Sequence, residues 1–170
     1  MRCFLGFAEG YAAIHDGGWV ALAVGAEHGG MALPVALTSA VKDMMSGACL
    51  ALQLNPLLTQ GQIEALEHHA SAELRALYLP KLISGEWSRT MNLTEPQAEP
   101  LGDGTYAVSG QQIFISWGDG DVKESICHLV LARLPGAPEG TKGISLFLVP
   151  QYLPYTALTA KPEILGALRP

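Results

Sequence analysis

Apolar residues in the first half of the chain recur every three or four positions, which is the period of an amphipathic helix. The pattern predicts a helix over residues 36–52 with one broad apolar face, and Met44-Met45 on it suit the filling of a core. Pro34 fits the first turn, because its missing N–H would have no partner there. Asn55-Pro56 is expected to end this helix, since a residue before proline is pushed out of the α region.

A second helix is predicted over residues 57–69, with Leu58, Ile63, Leu66 and Ala70 facing inward. A third should start at Ser71, which is a good N-cap, and Glu73 would lie in its first turn, where the helix dipole favours an anion. Pro80 is expected to kink or end this third helix, and the turn at residues 84–86 closes it.

From about residue 88 the pattern changes to β-rich runs bounded by glycine, proline and charge, which is typical of strands. The predicted strands are 106–108, 113–115, 126–131 and 144–149. Residues 102–104, Gly-Asp-Gly, indicate a hairpin turn, but its preceding arm is short and holds Pro100, which cannot donate to a ladder. We therefore expect an open edge at residues 105–110, and open edges favour self-association.

The change of period at Trp87 predicts an α+β fold. A helical layer would cover residues 1–86 and an antiparallel β-domain residues 87–151. Residues 152–170 have no period long enough to assign an element.

Composition excludes several functions. The 170 residues carry a net charge of −6 without any cluster of lysine or arginine, which argues against nucleic-acid binding. The apolar runs are too short for a membrane span, and the N-terminus makes a poor signal peptide. Three widely spaced cysteines indicate reduced thiols in a cytoplasmic protein. His68-His69 point to different sides of a helix, so we expect no metal site there.

Two segments resemble the flavin-binding strands of acyl-CoA dehydrogenases: residues 91–98, Met-Asn-Leu-Thr-Glu-Pro-Gln-Ala, and residues 111–116, Gln-Gln-Ile-Phe-Ile-Ser. Further runs at 27–30, 78–87 and 125–150 are similar to the same family. They most resemble the branch that contains 3-(methylthio)propanoyl-CoA dehydrogenases. The resemblance implies a partial N-terminal helical domain followed by an incomplete antiparallel β-barrel-like domain.

The chain also departs from the family pattern. The family continues the first motif with Gly-Ser-Asp, whereas Ala98 is followed directly by Glu99-Pro100. The resemblance therefore implies a truncated and internally deleted member. The family's first helices would precede Met1, and the helical domain that carries its catalytic base would follow Pro170. No residue of this chain is assigned as the base, and no activity of the isolated chain is expected.

By the resemblance, the cofactor is FAD and the substrate is an acyl-CoA. The implied reaction is α,β-desaturation, with a hydride passing to flavin N5 and electrons passing on to an electron-transfer flavoprotein. Acyl-CoA oxidases and related flavin oxygenases share these strands. An alternative from another class is a non-catalytic remnant or accessory subunit that docks onto an intact homologue.

The residues that would contact the cofactor form two groups, which are Met91, Asn92, Leu93, Thr94 and Phe114, Ile115, Ser116. Leu93 and Thr94 would supply hydrogen-bond donors at the N1–C2 edge of the flavin, and Ser116 would bond N5. Phe114 would pack against the isoalloxazine, and Met91 and Asn92 would line the same wall. Outside these groups, His128 is expected to be structural and Cys127 to be a buried, inert thiol.

Overall fold

The computed structural model describes residues 5–92 and 97–152, together with the backbone of residues 167–168. Within these ranges the helices come first: α1 (Phe7–Asp16), α2 (Val35–His69) and α3 (Ala72–Ile83), with short 3-10 turns at Trp19–Ala21 and Ala26–His28. The strands follow, with a further 3-10 turn at Thr141–Gly143: β1 (Trp87–Asn92), β2 (Gln97–Pro100), β3 (Tyr106–Ser109), β4 (Ser125–Arg133), β5 (Ile144–Pro150) and β6 (Ala167–Leu168). This order confirms the α+β class, and the division into domains at residue 86 stays a prediction.

The helix α2 runs through the position where the sequence predicts its end. Pro56 lies inside the helix and is buried, and Thr59 Oγ1 donates to the carbonyl of Asn55 at 3.0 Å. The break falls earlier, at Cys49, whose φ of −159° and ψ of 94° are not helical. The predicted end at Asn55-Pro56 is therefore wrong, because packing of the buried Asn55 and Thr59 outweighs the local preference of a residue before proline.

The two parts of α2 differ in burial. After the break, Ile63 and Leu66 are buried as predicted. Before the break, Leu37 is 53% and Met44 is 66% exposed. The prediction that Met44 fills the core is wrong, because Met44 lines a surface cavity beside Ala13 and Ile14 of α1 and does not pack against them closely.

The helix α3 begins as the sequence predicts. Ser71 accepts a hydrogen bond from the backbone N–H of Leu74 at 3.3 Å. The backbone N–H of Glu73 and the Ser71 side chain hold the pKa of the Glu73 carboxyl below its ordinary value. Pro80 does not end this helix, which continues to Ile83, because the buried Leu79 and Leu82 keep the last turn packed.

The strand β4 lies at the centre of a mixed sheet. Along one edge, β4 pairs in parallel with β1 and, at Arg133, with β2. Along its other edge, β4 pairs antiparallel with β5, and β5 in turn pairs antiparallel with β6. The sheet is therefore not purely antiparallel, and the expected barrel-like closure is not confirmed.

The predicted hairpin is present, but its first arm is better formed than expected. The strand β2 pairs with β3 along its whole length, from Gln97↔Ser109 to Pro100↔Tyr106, and Leu101 N–H donates to the Thr105 carbonyl at 3.0 Å. Pro100 lies at the end of the arm, where its missing N–H removes little from the ladder. The open edge at residues 105–110 is therefore confined, within the described chain, to the outer side of β3.

The predicted strand at residues 113–115 is absent. Phe114 and Trp117 both have a φ of 58°, a left-handed conformation that interrupts an extended run. Trp117 instead fixes this segment to the helices, because its Nε1 donates to the carbonyl of Ala51 at 2.9 Å and its ring stacks on Phe7. Tertiary contacts of one side chain thus outweigh the β propensity of Ile113-Phe114-Ile115.

The two faces of the sheet have different coverings. Successive strand residues point to opposite faces. One face, with Trp87, Cys127 and Leu129, packs on buried residues of α2 and α3 in the main core. The other face carries Thr90, Asn92 and His128 and lies under the segment 110–123. This second face contributes one wall of the candidate site.

Within the described part of the chain, α2 is long and apolar enough to cross a membrane by length and composition, with a mean hydropathy of 1.3 in its most apolar window. Core helices of soluble proteins pass the same test. The break at Cys49 divides α2, whereas a span needs about 20 continuous helical residues. The absence of a membrane span stays a prediction.

Candidate functional site

The two motif segments meet around one cavity of about 620 Å³. Asn92, at the end of β1, and Ile115, in the segment after β3, both line it. The walls also include Gln112, Trp117 and His128. Segments separated in the sequence are thus held side by side, as the family resemblance requires.

Three neighbours of these cavity-lining residues are exposed to solvent. Met91 is 40% exposed and Phe114 is 96% exposed, and Ser116 is also exposed. Met91 and Asn92 are consecutive in a strand and point to opposite faces, Met91 to the face of Cys127 and Leu129. Their contacts with a cofactor stay a prediction. Leu93 and Thr94 lie outside the described residues.

Phe114 combines two unfavourable features. Its φ of 58° is rare for a residue with a bulky side chain. Its ring is also 96% exposed, although burying a phenylalanine side chain stabilises a fold by about 1.5–3 kcal/mol. Strained residues that the surrounding structure holds in place cluster at ligand sites. Phe114 is therefore placed to receive a flat apolar partner.

The sequence did not indicate the role of His128 in the cavity. Thr90 and His128 are direct partners on the parallel strands β1 and β4, and Thr90 Oγ1 lies 2.7 Å from His128 Nδ1. Burial lowers the pKa of His128. The signal that could have identified His128 is its register with the first motif, which becomes visible only when the strand pairing is known.

The opposite face of the same strands holds a buried pair. Cys127 is fully enclosed, and burial raises the pKa of its thiol to about 12, so the predicted burial of Cys127 is confirmed. Arg89, its partner on β1, is 1% exposed. The described residues contain no group of three or more histidine, cysteine, aspartate or glutamate side chains placed to hold a metal ion.

Comparison with known proteins agrees with this arrangement. Residues 7–86 match the family described as "Acyl-CoA dehydrogenase, N-terminal domain". The chain is 48% identical, over 87% of its length, to 3-methylmercaptopropionyl-CoA dehydrogenase from Ruegeria pomeroyi. It is 39% identical, over 71% of its length, to a butyryl-CoA dehydrogenase from Syntrophomonas wolfei. The chain belongs to the acyl-CoA dehydrogenase family, whose members are flavoproteins of acyl-CoA metabolism.

The fold is shared with solved structures. A crystal structure of an FAD-dependent dehydrogenase covers 86% of this chain with a TM-score of 0.73 at 19% identity, and the match spans 42% of that protein. The chain spans only 27% of the Ruegeria relative and 22% of the Syntrophomonas relative. The similarity therefore concerns one part of these enzymes.

Proposed function

We propose that this chain supplies one wall of the flavin site of an FAD-dependent acyl-CoA dehydrogenase. The exposed, strained Phe114 carries the proposal, because an aromatic ring held in that state suits a cofactor that covers it. Ser116 adds an exposed hydroxyl two positions further along the same segment. These two side chains fit an isoalloxazine, which is a flat apolar ring system with polar edges.

Each outward residue has its own task in this proposal. Phe114 would pack on the flavin ring, and the Ser116 hydroxyl would donate to a ring nitrogen. The inward Asn92 and Ile115 hold the two segments in place from the cavity side. Bound FAD supplies the hydride-accepting chemistry of the reaction. We assign no general base to this chain.

The substrate class follows from the relatives. The names of the two curated relatives specify short acyl groups, methylmercaptopropionyl and butyryl, carried on coenzyme A. We propose a short-chain acyl-CoA as the substrate of the complete enzyme and an electron-transfer flavoprotein as its electron acceptor. Cys49 and Cys127 are both free, which supports a cytoplasmic location.

A second candidate function is supported by the exposed face of α2. Leu37 and Met44, seven positions apart on one side of the helix, are each more than half exposed and make this side apolar. A non-catalytic subunit would use such a face to dock onto an intact homologue. A subunit of this kind binds no flavin and so would not need the exposed ring of Phe114.

Equilibrium dialysis with FAD tests the flavin proposal. We expect weak, saturable binding with a Kd above about 10 µM, because a cofactor site normally encloses most of its ligand and this wall is open. Phe114→Ser should weaken binding at least about tenfold, which corresponds to the transfer free energy of the ring. The matched variant Ile113→Ser, at a neighbouring residue that is 59% exposed, should bind as the wild type does. Equal affinities for all three proteins would contradict the proposal.

A further inference from the structure

The two residues proposed to contact the flavin, Phe114 and Ser116, lie in a turn that its own backbone stabilises weakly. Phe114 and Trp117 both have a φ of 58°. This left-handed conformation is unfavourable for residues with a side chain, because Cβ comes too close to the following carbonyl oxygen. Within the turn, Gly118 N–H donates to the Ile115 carbonyl at 3.3 Å, which is long for such a bond. Contacts from outside the turn are therefore needed to keep its conformation.

The side chain of Trp117 supplies such contacts, because it connects the turn to both of the first two helices. Its Nε1 donates to the carbonyl of Ala51 in α2 at 2.9 Å. Its ring centroid lies 5.8 Å from that of Phe7 and 6.0 Å from that of Tyr11, and both of these residues belong to α1. Tyr11 is completely buried, so this contact joins the turn to a residue fixed in the core.

The segment that contains the turn is attached to α1 a second time. Nζ of Lys123 lies 4.1 Å from the centre of the Tyr11 ring, which is a cation–π contact. Phe114 and Ser116, in contrast, are exposed, and they precede the anchored Trp117 closely in the chain. The positions of these two exposed residues therefore depend on the attachment of Trp117.

We propose that Trp117 is a positioning residue for the flavin wall. Its hydrogen bond to Ala51 holds residues 114–116 in the conformation in which the Phe114 ring and the Ser116 hydroxyl meet the isoalloxazine together. A surface that already has its bound conformation loses less conformational entropy when the ligand binds. This inference rests on the proposed flavin function, which by itself requires no contact between the turn and α2.

Riboflavin binding to two matched variants tests the role of Trp117. Trp117→Phe removes the indole N–H but keeps an aromatic ring for the stack on Phe7. It should bind riboflavin about 2- to 12-fold more weakly than the wild type does, which is the effect of one net hydrogen bond. Trp19→Phe is the control, because Trp19 is 45% exposed in the 3-10 turn after α1. This control should bind riboflavin with the affinity of the wild type.

Two NMR measurements distinguish positioning from a general loss of structure. Without ligand, a strong nuclear Overhauser effect between the amide hydrogen and Hα of Phe114 reports its left-handed φ. This effect should weaken in Trp117→Phe, while the amide resonances of β4 and β5 stay in place. In the wild type, riboflavin should slow the exchange of the Trp117 indole hydrogen with solvent, because coupling between two sites is reciprocal.

The possible results separate this inference from the flavin proposal on which it rests. Unchanged riboflavin affinity in Trp117→Phe, or a left-handed φ retained at Phe114, would overturn the role of Trp117 and leave the flavin wall standing. An equal loss of affinity in Trp19→Phe would also overturn it, because the effect would then not be specific to the bond with Ala51. Absence of riboflavin binding by the wild type would contradict the flavin wall itself, and the role of Trp117 with it.

Discussion

Arg89 lies directly opposite Cys127 on the paired strands β1 and β4, and the two side chains are 1% and 0% exposed. Gln62 of α2 donates to Cys127 Sγ at 3.3 Å. Nε and Nη1 of Arg89, in contrast, have no hydrogen-bond partner among the described residues. A buried charge without a compensating partner destabilises a fold. The interface between α2 and the sheet therefore contains a cation that works against stability.

Replacement of this cation should stabilise the chain. Arg89→Met is expected to raise the free energy of unfolding by about 1–4 kcal/mol, as found when buried ions are replaced by apolar residues of similar volume. Urea denaturation measures the change. Arg75→Met is the control, because Arg75 is only half-buried and its Nη1 donates to the Glu67 carbonyl at 3.3 Å. That variant should change stability by less than about 1 kcal/mol. A loss of stability in Arg89→Met would show that the guanidinium is compensated.

The cost of Arg89 should depend on pH. Burial lowers its pKa from 12.5 to about 9. Below the pKa of Arg89 in the folded chain, the guanidinium is protonated in both the folded and the unfolded state, and its burial destabilises the folded chain fully. Above it, the unfolded state binds more protons than the folded state, so stability rises with pH. The stability difference between Arg89→Met and the wild type should therefore shrink above about pH 9, by roughly 1.4 kcal/mol per pH unit. A difference that stays constant between pH 7 and pH 10 would contradict this expectation.

The cysteines should differ in reactivity. Burial raises the pKa of Cys127 to about 12, and the thiolate is the reactive form, whereas Cys49 is half-buried at the break in α2. Iodoacetamide at pH 8 should modify Cys49 at least about tenfold faster than Cys127 in the folded chain. Peptide mapping by mass spectrometry measures both rates, and the same reaction in urea is the control. Similar rates without denaturant would mean that the sheet–helix interface opens readily.

The exposed face of α2 should cause self-association. Met44 is 66% exposed, and burial of a methionine side chain contributes about 1.5–3 kcal/mol. Met44→Glu is therefore expected to weaken association about tenfold or more in analytical ultracentrifugation. Ser39→Glu adds the same charge to an exposed position of the same helix and should have a smaller effect. A wild-type chain that stays monomeric at all concentrations would exclude this face as a contact surface.

Local sequence signals predicted the element boundaries where the local and tertiary preferences agree. Ser71 caps α3 because its hydroxyl needs only the nearby N–H of Leu74. The first strand begins at Trp87, where the apolar period changes. Such features depend on residues close together in the chain, so a single sequence contains them.

The features that the sequence analysis predicted wrongly depend on contacts between residues far apart in the chain. The break at Cys49 and the loss of the strand at Ile113-Phe114-Ile115 both lie near the contact between Trp117 and Ala51, which joins residues far apart in the sequence. The part of the site formed by Thr90 and His128 requires the parallel register of β1 and β4. Neither the contact nor the register can be obtained from periodicity alone.

Mapping of riboflavin binding by NMR tests the central claim, that the exposed residues of the segment 114–116 form one wall of a flavin site. Riboflavin lacks the adenine of FAD and so reports on the flavin ring alone. The largest amide shift changes should occur at Phe114 and Ser116, and they should disappear in Phe114→Ser but persist in Ile113→Ser. Changes centred elsewhere, or no changes at saturating riboflavin, would contradict the account.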